Sequence, residues 1–173
     1  DSDEINAFAC PGGLILVTRG LVRCCETEDA LAAVLAHEIG HVAGKHGLRA
    51  IKSSRLTSAL AILATEGART LGGEDVARLA EDLEASITDI TQTLVRSGYS
   101  RELEGEADGA AVAMLAATGY SPRGLAAMLG QMQARWRPSG PGFMSTHPAP
   151  RDRLETVVPL LAAAPPLAPP PAG

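Results

Sequence analysis

Aromatic residues are scarce in this chain of 173 residues, where they make up 3% of the total. The apolar fraction is nonetheless 46%, so a hydrophobic core has to be assembled mainly from Ala, Leu, Val and Ile. Such a composition favours helices. A chain of this length buries enough surface to fold as one domain without disulfides.

Long hydrophobic runs and a basic stripe are also missing. The longest apolar helical stretch, Leu56 to Thr65, is far shorter than the roughly 20 residues that a membrane crossing requires. The formal net charge is -5, and no cluster of Lys and Arg is available to neutralise a phosphate backbone. We therefore expect no membrane-crossing segment and no nucleic-acid partner.

Cysteine is limited to three positions, Cys10, Cys24 and Cys25, with no CxxC pair. An odd number cannot be fully paired within one chain, and the spacing does not define a zinc knuckle. A disulfide from Cys10 to Cys24 or Cys25 stays open as an alternative. The preferred interpretation is that the thiols act as small apolar side chains, which leaves the redox compartment undetermined.

The N-terminal region predicts a β-hairpin. Two short extended runs, 7–9 and 14–17, flank Cys10-Pro11-Gly12-Gly13, whose Pro and Gly favour a turn. Thr27 then offers an N-cap for a helix that should run to about Leu48 or beyond, with Glu28 and Asp29 suited to its first turn.

The rest of the chain is predicted to be helical, which makes the fold class α+β and mostly helical. Two covering helices are expected over residues 52–95, separated at Gly72-Gly73, and 137–150 reads as a loop. The Pro/Ala-rich residues 162–173 favour a tail or linker. Three further helices are expected from Ser100 to Gly119, from Pro122 to about Trp136, and from Arg151 to Leu161.

His37-Glu38-Ile39-Gly40-His41 is an HExxH motif within the predicted long helix. Residues four apart lie on one face of a helix, so both imidazoles can reach one metal ion. Zinc accepts neutral histidine nitrogens, and a catalytic zinc site has three protein ligands and a position for water. Glu38 lies beside the pair and is predicted to take the proton of that water as general base.

The third ligand is expected to be a carboxylate on another helix. His46 follows His41 by five residues, which in a continuous helix turns it about 140° away, so we predict a packing role for it. Glu104 is the predicted ligand, and Asp108, one turn further along, would accept the spare N–H of a ligating histidine. Glu102 and Glu106 are expected to be solvated charges.

At these positions the chain resembles the M48 zinc metallopeptidases, which are gluzincins of zincin-like fold. The resemblance is closer to the soluble bacterial envelope and Oma1-like branch than to the membrane-embedded relatives. It implies a peptidase domain over 1–161, with the small hairpin packed on the HExxH helix, followed by the tail at 162–173. The matching segments are Asn6 to Gly13, Leu35 to Ala43 with His46, Ser100 to Asp108, Gly119 to Pro122, and Ser145 to Pro148 with Arg153.

The resemblance also implies roles for individual residues. His37, His41 and Glu104 would bind one Zn²⁺ per chain, Glu38 would be the general base, and Asp108 would support His37. His147 would lie near the metal, either stabilising the oxyanion, occupying the place of the water in a resting state, or only capping the last helix. A free strand edge would pair with an extended polypeptide substrate, and the candidate edge consists of Leu14, Ile15, Leu16, Val17 and Thr18.

The predicted function is hydrolysis of peptide bonds in unfolded or misassembled proteins, at a periplasmic or membrane-attached site in the bacterial cell envelope. One alternative is a chaperone-like or adaptor protein that holds unfolded chains in the same groove, with latent proteolysis behind His147. Another is a structural zinc site, which would need four protein ligands and would give Glu38 no purpose. Natural substrate, cleavage specificity and oligomeric state do not follow from the residues.

Overall fold

The computed structural model describes residues 2–10, 12–53, 98–135 and 147–167. The predicted hairpin is confirmed, with β1 at Ala7–Ala9 and β2 at Ile15–Val17. The strands are antiparallel, and Phe8 stands opposite Leu16. In the turn, Gly12 and Gly13 have φ of 103° and 96°, a left-handed conformation that other residues adopt only at a cost.

A short helix, α1 at Arg19–Cys24, follows β2 directly and was not predicted. Thr18, expected at the end of the strand, is the N-cap of α1, and its hydroxyl accepts a hydrogen bond from the Leu21 amide at 3.2 Å. Six residues make fewer than two helical turns, so they carry too little apolar periodicity to be recognised from sequence.

Helix α2, at Glu28–Ala43, carries the HExxH motif. Its predicted N-cap is confirmed, since the Thr27 hydroxyl accepts from the Ala30 amide at 3.2 Å. The predicted extension to Leu48 is wrong, because α2 ends at Ala43 and Lys45 adopts a left-handed φ of 53°. A separate helical segment begins at residue 46 and continues to the end of the described range at residue 53.

The C-terminal half supplies three more helices, each within about two residues of its predicted bounds. These are α3 at Arg101–Thr118, α4 at Arg123–Arg135 and α5 at Pro150–Ala162. As predicted, Ser100 caps α3, and Gly119 ends it with a φ of 84°. The two helices predicted within 52–95, most of the 137–150 loop and the end of the tail lie outside the described residues.

The core is built from small aliphatic side chains, as the low aromatic content predicts. Helix α2 packs against α3 and α4, and α5 packs against both of those helices. A Cβ placed on Gly40 would stand 3.0 Å from the Ala107 carbonyl oxygen, so glycine allows α2 and α3 to approach closely. The main cluster consists of Ala33, Ala36, Ala111, Val112, Leu115, Leu125, Leu129 and Val157.

A second cluster joins the hairpin to the helices through Ala7, Leu21 and Met128. The three cysteine thiols are free, so the disulfide alternative is not realised. Cys24 is buried and Cys25 is half-buried, in keeping with their predicted packing role. Within the described ranges, no helix combines the length and the apolar character needed to span a membrane.

Candidate metal centre

Four buried side chains from three parts of the fold converge on one point. His37 and His41 come from α2, Glu104 comes from α3, and His147 precedes α5. One potential ligand atom of each lies within 4.8 Å of all the others. The two Nε2 atoms of His37 and His41 are 3.0 Å apart, and the Glu104 carboxylate oxygens lie 3.5 Å and 3.4 Å from them.

This convergence follows from the helix geometry. His37 and His41 are one helical turn apart, so their rings project from the same face of α2. The close approach of α3 at Gly40 brings Glu104 alongside that face. The structure therefore brings together the three residues that the sequence predicts as metal ligands.

Asp108 lies next to His37, where the sequence places it. His37 Nδ1 is 2.9 Å from Asp108 Oδ1, and Asp108 is fully buried. The guanidinium of Arg153, 4% exposed, donates to the same carboxylate through both Nε and Nη2. Sequence reasoning placed Arg153 in a matching segment but gave it no role, because nothing in its spacing connects it to the motif.

The Asp108 carboxylate favours a proton on His37 Nδ1. That nitrogen faces an acceptor, Asp108 Oδ1, and a donor, Arg153 Nη2, at 2.9 Å and 3.1 Å. Arg153 Nη2 already donates to Asp108, and an ionised carboxylate only accepts, so a proton on His37 Nδ1 satisfies the carboxylate and leaves the lone pair of a neutral ring on Nε2. That lone pair points towards Glu104 and His41. A cation would relieve the mutual repulsion of these electron-rich atoms.

Glu38 is the least satisfied group in the site. Its side chain is fully buried, and neither carboxylate oxygen has a hydrogen-bond partner among the described residues. Burying a charge without a partner is costly, and such groups occur where catalysis requires them. Two histidine nitrogens, a carboxylate oxygen and an adjacent unpartnered carboxylate match the donor set of a catalytic zinc site, so the residues present fit this metal.

His147, shortly before α5, lies against the predicted ligands. Its Nδ1 is 2.8 Å from Glu104 Oε1, and its Nε2 is 3.6 Å from Glu38 Oε1. The same Nε2 approaches the Ala7 carbonyl oxygen at 3.4 Å. His147 therefore bridges the carboxylates of the site and the first strand of the hairpin.

The electrostatics of the cluster keep Glu104 ionised and His41 neutral. Burial alone would raise the pKa of Glu104, but the hydrogen bond from His147 and the close contacts with the His37 and His41 rings outweigh it and hold that pKa far below its usual range. Burial lowers the pKa of His41 to about 3. Both ionisation states are those that a metal ligand needs.

His46 is close to His41, not turned away from it. The 140° rotation assumed a continuous helix, whereas the break at Lys45 redirects the chain and brings the two Nδ1 atoms to 2.9 Å. His46 does not belong to the group of four convergent ligand atoms. Glu106 is half-exposed, but it contacts His46 and pairs with Arg49, so it is more than a solvated charge.

The hairpin presents β1, and not the predicted β2, to the cluster. Backbone hydrogen bonds join Thr18 to Asn6 and Cys10 to Leu14 across the hairpin. In an antiparallel pair every second residue bonds to the partner strand, so the backbone N–H and C=O groups of Ala7 and Ala9 face away from β2, at the outer edge of β1. The contact between Ala7 and His147 places that edge next to the site. The predicted edge of residues 14–18 lies on the far side of β1.

Comparison with known proteins identifies a family that matches nearly the whole chain. The model of the family described as peptidase family M48 matches residues 1–160. The chain is 30% identical over 156 residues to the beta-barrel assembly-enhancing protease of Escherichia coli strain K12, covering 89% of this chain and 32% of that protein.

Two further relatives have different names. The chain is 29% identical to the mitochondrial metalloendopeptidase OMA1 of Schizosaccharomyces pombe, covering 88% of this chain and 42% of that protein. It is 28% identical to the metalloprotease LoiP of Escherichia coli strain K12, covering 89% of this chain and 58% of that protein. The chain thus spans between about a third and about three fifths of the length of these relatives.

Proposed function

The chain belongs to peptidase family M48, and on this premise we propose that it is a zinc-dependent endopeptidase acting on unfolded or misassembled proteins. His37, His41 and Glu104 would hold one Zn²⁺ per chain. The observation that carries the proposal is the buried carboxylate of Glu38, which has no hydrogen-bond partner among the described residues although it lies beside the convergent ligand set.

The zinc ion, when bound, polarises the substrate carbonyl and lowers the pKa of an attacking water. Glu38 accepts a proton from that water and returns it to the leaving amine, acting as general base and then as general acid. Its burial away from competing hydrogen bonds leaves both oxygens free for this transfer. Asp108 keeps the His37 ring in the tautomer that presents Nε2 to the metal.

His147 is proposed to act at the reacting carbonyl. Its Nε2 lies 3.6 Å from Glu38 Oε1, so it borders the region where water and substrate meet. From there it is placed to donate a hydrogen bond to the developing oxyanion, and it is equally placed to cover the metal in a resting state. The two roles predict opposite effects of its removal.

The substrate would bind in extended form by pairing with an edge of the hairpin. The sequence favours residues 14–18, but the contact between His147 and Ala7 supports the outer edge of β1 instead. Backbone pairing reads little sequence, which suits unfolded substrates of varied composition.

The proposed peptidase domain covers residues 1–161, with 162–173 as a tail or linker. The name of one relative refers to β-barrel assembly, and membrane β-barrels are characteristic of bacterial outer membranes. That relationship supports a location in the bacterial cell envelope, periplasmic or membrane-attached.

The decisive experiment compares casein hydrolysis by the zinc-loaded parent and the Glu38→Gln variant. The substitution preserves shape and removes the base, so we expect equal zinc content and a loss of at least about 100-fold in kcat. Unchanged turnover would exclude Glu38 as the base. In a His147→Ala arm, reduced kcat indicates oxyanion stabilisation, whereas a rise in activity indicates that His147 covers the metal.

A further inference from the structure

The second ligand histidine, His41, is backed by a chain of polar side chains that the proposed reaction does not use. His46 Nδ1 lies 2.9 Å from His41 Nδ1. On its other side, His46 Nε2 lies 3.2 Å from Glu106 Oε2. Arg49 closes the chain by donating to both oxygens of Glu106, and Tyr99 stacks on the His41 ring with centroids 4.2 Å apart.

The chemistry of these groups fixes the direction of every hydrogen bond. Glu106 is an ionised carboxylate held by Arg49, so it only accepts, and His46 Nε2 must carry the proton that it donates. The His46 ring is buried, and in its neutral form its lone pair is then on Nδ1, which faces His41. His41 Nδ1 must therefore be the donor in the contact between the two rings, which leaves the lone pair of His41 on Nε2.

We infer that His46 and Glu106 are positioning residues that hold His41 in the tautomer required for metal binding, and that Arg49 anchors Glu106. The inference rests on the proposed function only in assigning His41 as a ligand. Neither His46 nor Glu106 belongs to the convergent group of potential ligand atoms. Each acts through His41.

The backbone around residues 44 and 45 is shaped to permit this contact. A Cβ placed on Gly44 would stand 2.2 Å from His46 Nε2, so any other residue there would collide with the imidazole. Gly44 has an ordinary helical φ of -72°, so glycine is needed for space and not for conformation. The left-handed φ of Lys45, 53°, then turns the chain so that His46 faces back to His41.

His37, the other proposed ligand, is supported in a similar way by different residues. His37 Nδ1 is held directly by Asp108, and that carboxylate is held by Arg153. For His41 an additional imidazole stands between the ligand and the carboxylate. Both series of hydrogen-bonded side chains end in an arginine. Removing the partners that hold a metal ligand in this way typically weakens metal binding by 10- to 100-fold.

The test measures the zinc dissociation constant of the full chain by competition with a chromophoric chelator. His46→Leu keeps the bulk but offers no acceptor, and we expect it to weaken zinc binding by about 10- to 100-fold. His46→Asn is smaller but places an oxygen near the Nδ1 position, so it should retain more affinity than His46→Leu. A role in packing alone predicts the reverse order, which would overturn the inference.

Two further variants and a control locate the effect. Glu106→Gln should weaken zinc binding, because it removes the charge that orients His46. Glu102→Gln is a matched control on an exposed carboxylate of the same helix; it acts only on Arg49, through its charge, and should have a much smaller effect than Glu106→Gln. Gly44→Ala should act like His46→Leu by displacing the ring. Equal affinities for the Glu106→Gln variant and the parent would contradict the role of Glu106.

A tautomer measurement on the parent avoids any dependence on variant folding. Long-range ¹H–¹⁵N correlation spectra of the imidazoles should show His46 protonated on Nε2 and His41 protonated on Nδ1. The opposite assignment for His46 would overturn the inference. A chain that binds zinc with these properties but cleaves no peptide would refute the proposed peptidase function and leave the positioning role intact.

Discussion

Removing one member of the buried ion pair between Asp108 and Arg153 is expected to cost the folded chain several kcal/mol. Asp108 is fully buried and Arg153 is 4% exposed, so neither charge has much access to water. Asp108→Asn preserves shape but leaves the guanidinium with a weakened partner. Removing one member of such a pair typically costs about 3–5 kcal/mol, a large share of the roughly 5–15 kcal/mol of a whole domain.

The assay is urea unfolding of the zinc-free protein, followed by circular dichroism, so that metal binding does not contribute to the free energy of unfolding. Because the penalty comes from the uncompensated charge, the Asp108→Asn/Arg153→Met double variant should lose less stability than the sum of the two single variants. The expected coupling is at least about 1 kcal/mol, since a buried pair replaced as a unit is often close to neutral.

The same two helices supply a matched control on the surface. Arg101 on α3 pairs with Asp152 on α5 at 2.8 Å, with 83% and 43% of their side chains exposed. Asp152→Asn should change the free energy of unfolding by no more than about 1 kcal/mol, as is usual for exposed pairs. Losses of similar size at Asp108 and Asp152, or strict additivity in the double variant, would refute the reasoning.

Two smaller predictions concern glycines and a thiol. A Cβ on Gly124 would stand 2.4 Å from the Asp29 carbonyl oxygen, whereas nothing lies within 4 Å of a Cβ on Gly130 in the same helix. In urea unfolding, Gly124→Ala should therefore lower the free energy of unfolding by about 1–3 kcal/mol, and Gly130→Ala should raise it by about 1 kcal/mol. Equal effects of the two substitutions would contradict this packing. Burial and the neighbouring Cys24 raise the pKa of Cys25 to about 11. At pH 8, iodoacetamide should therefore alkylate Cys25 on the order of 100-fold more slowly in the folded chain than in urea. Equal rates would show that the thiol is not protected.

The parts of the site that lie on regular helices follow from the sequence alone. Because His37 and His41 are four residues apart, a helix is enough to place their imidazoles on one face. The helix that carries Glu104 and Asp108 is marked by Ser100 at its start and Gly119 at its end, and both caps form as predicted. Local signals sufficed here because every relevant residue lies within a few turns of its cap.

The surroundings of His41 could not be predicted in the same way. The helix break depends on a left-handed Lys45, a conformation for which lysine gives no signal. Once the break is missed, the calculated direction of His46 is wrong. The partnership of Glu106 with Arg49 and His46 joins residues 57 and 60 positions apart, and no periodicity within one element reports a contact over that separation.

The two proposed ligand histidines are therefore supported in unequal environments. The carboxylate and guanidinium behind His37 are buried, whereas those behind His41 lie at the surface, with 44% of the Glu106 side chain and 46% of the Arg49 side chain exposed. Salt screens exposed charges far more than buried ones. Added salt should accordingly weaken the hydrogen bonds that connect His41 to Arg49 through His46 and Glu106. The hydrogen bonds of His37 with Asp108 and Arg153 should persist at the same ionic strength.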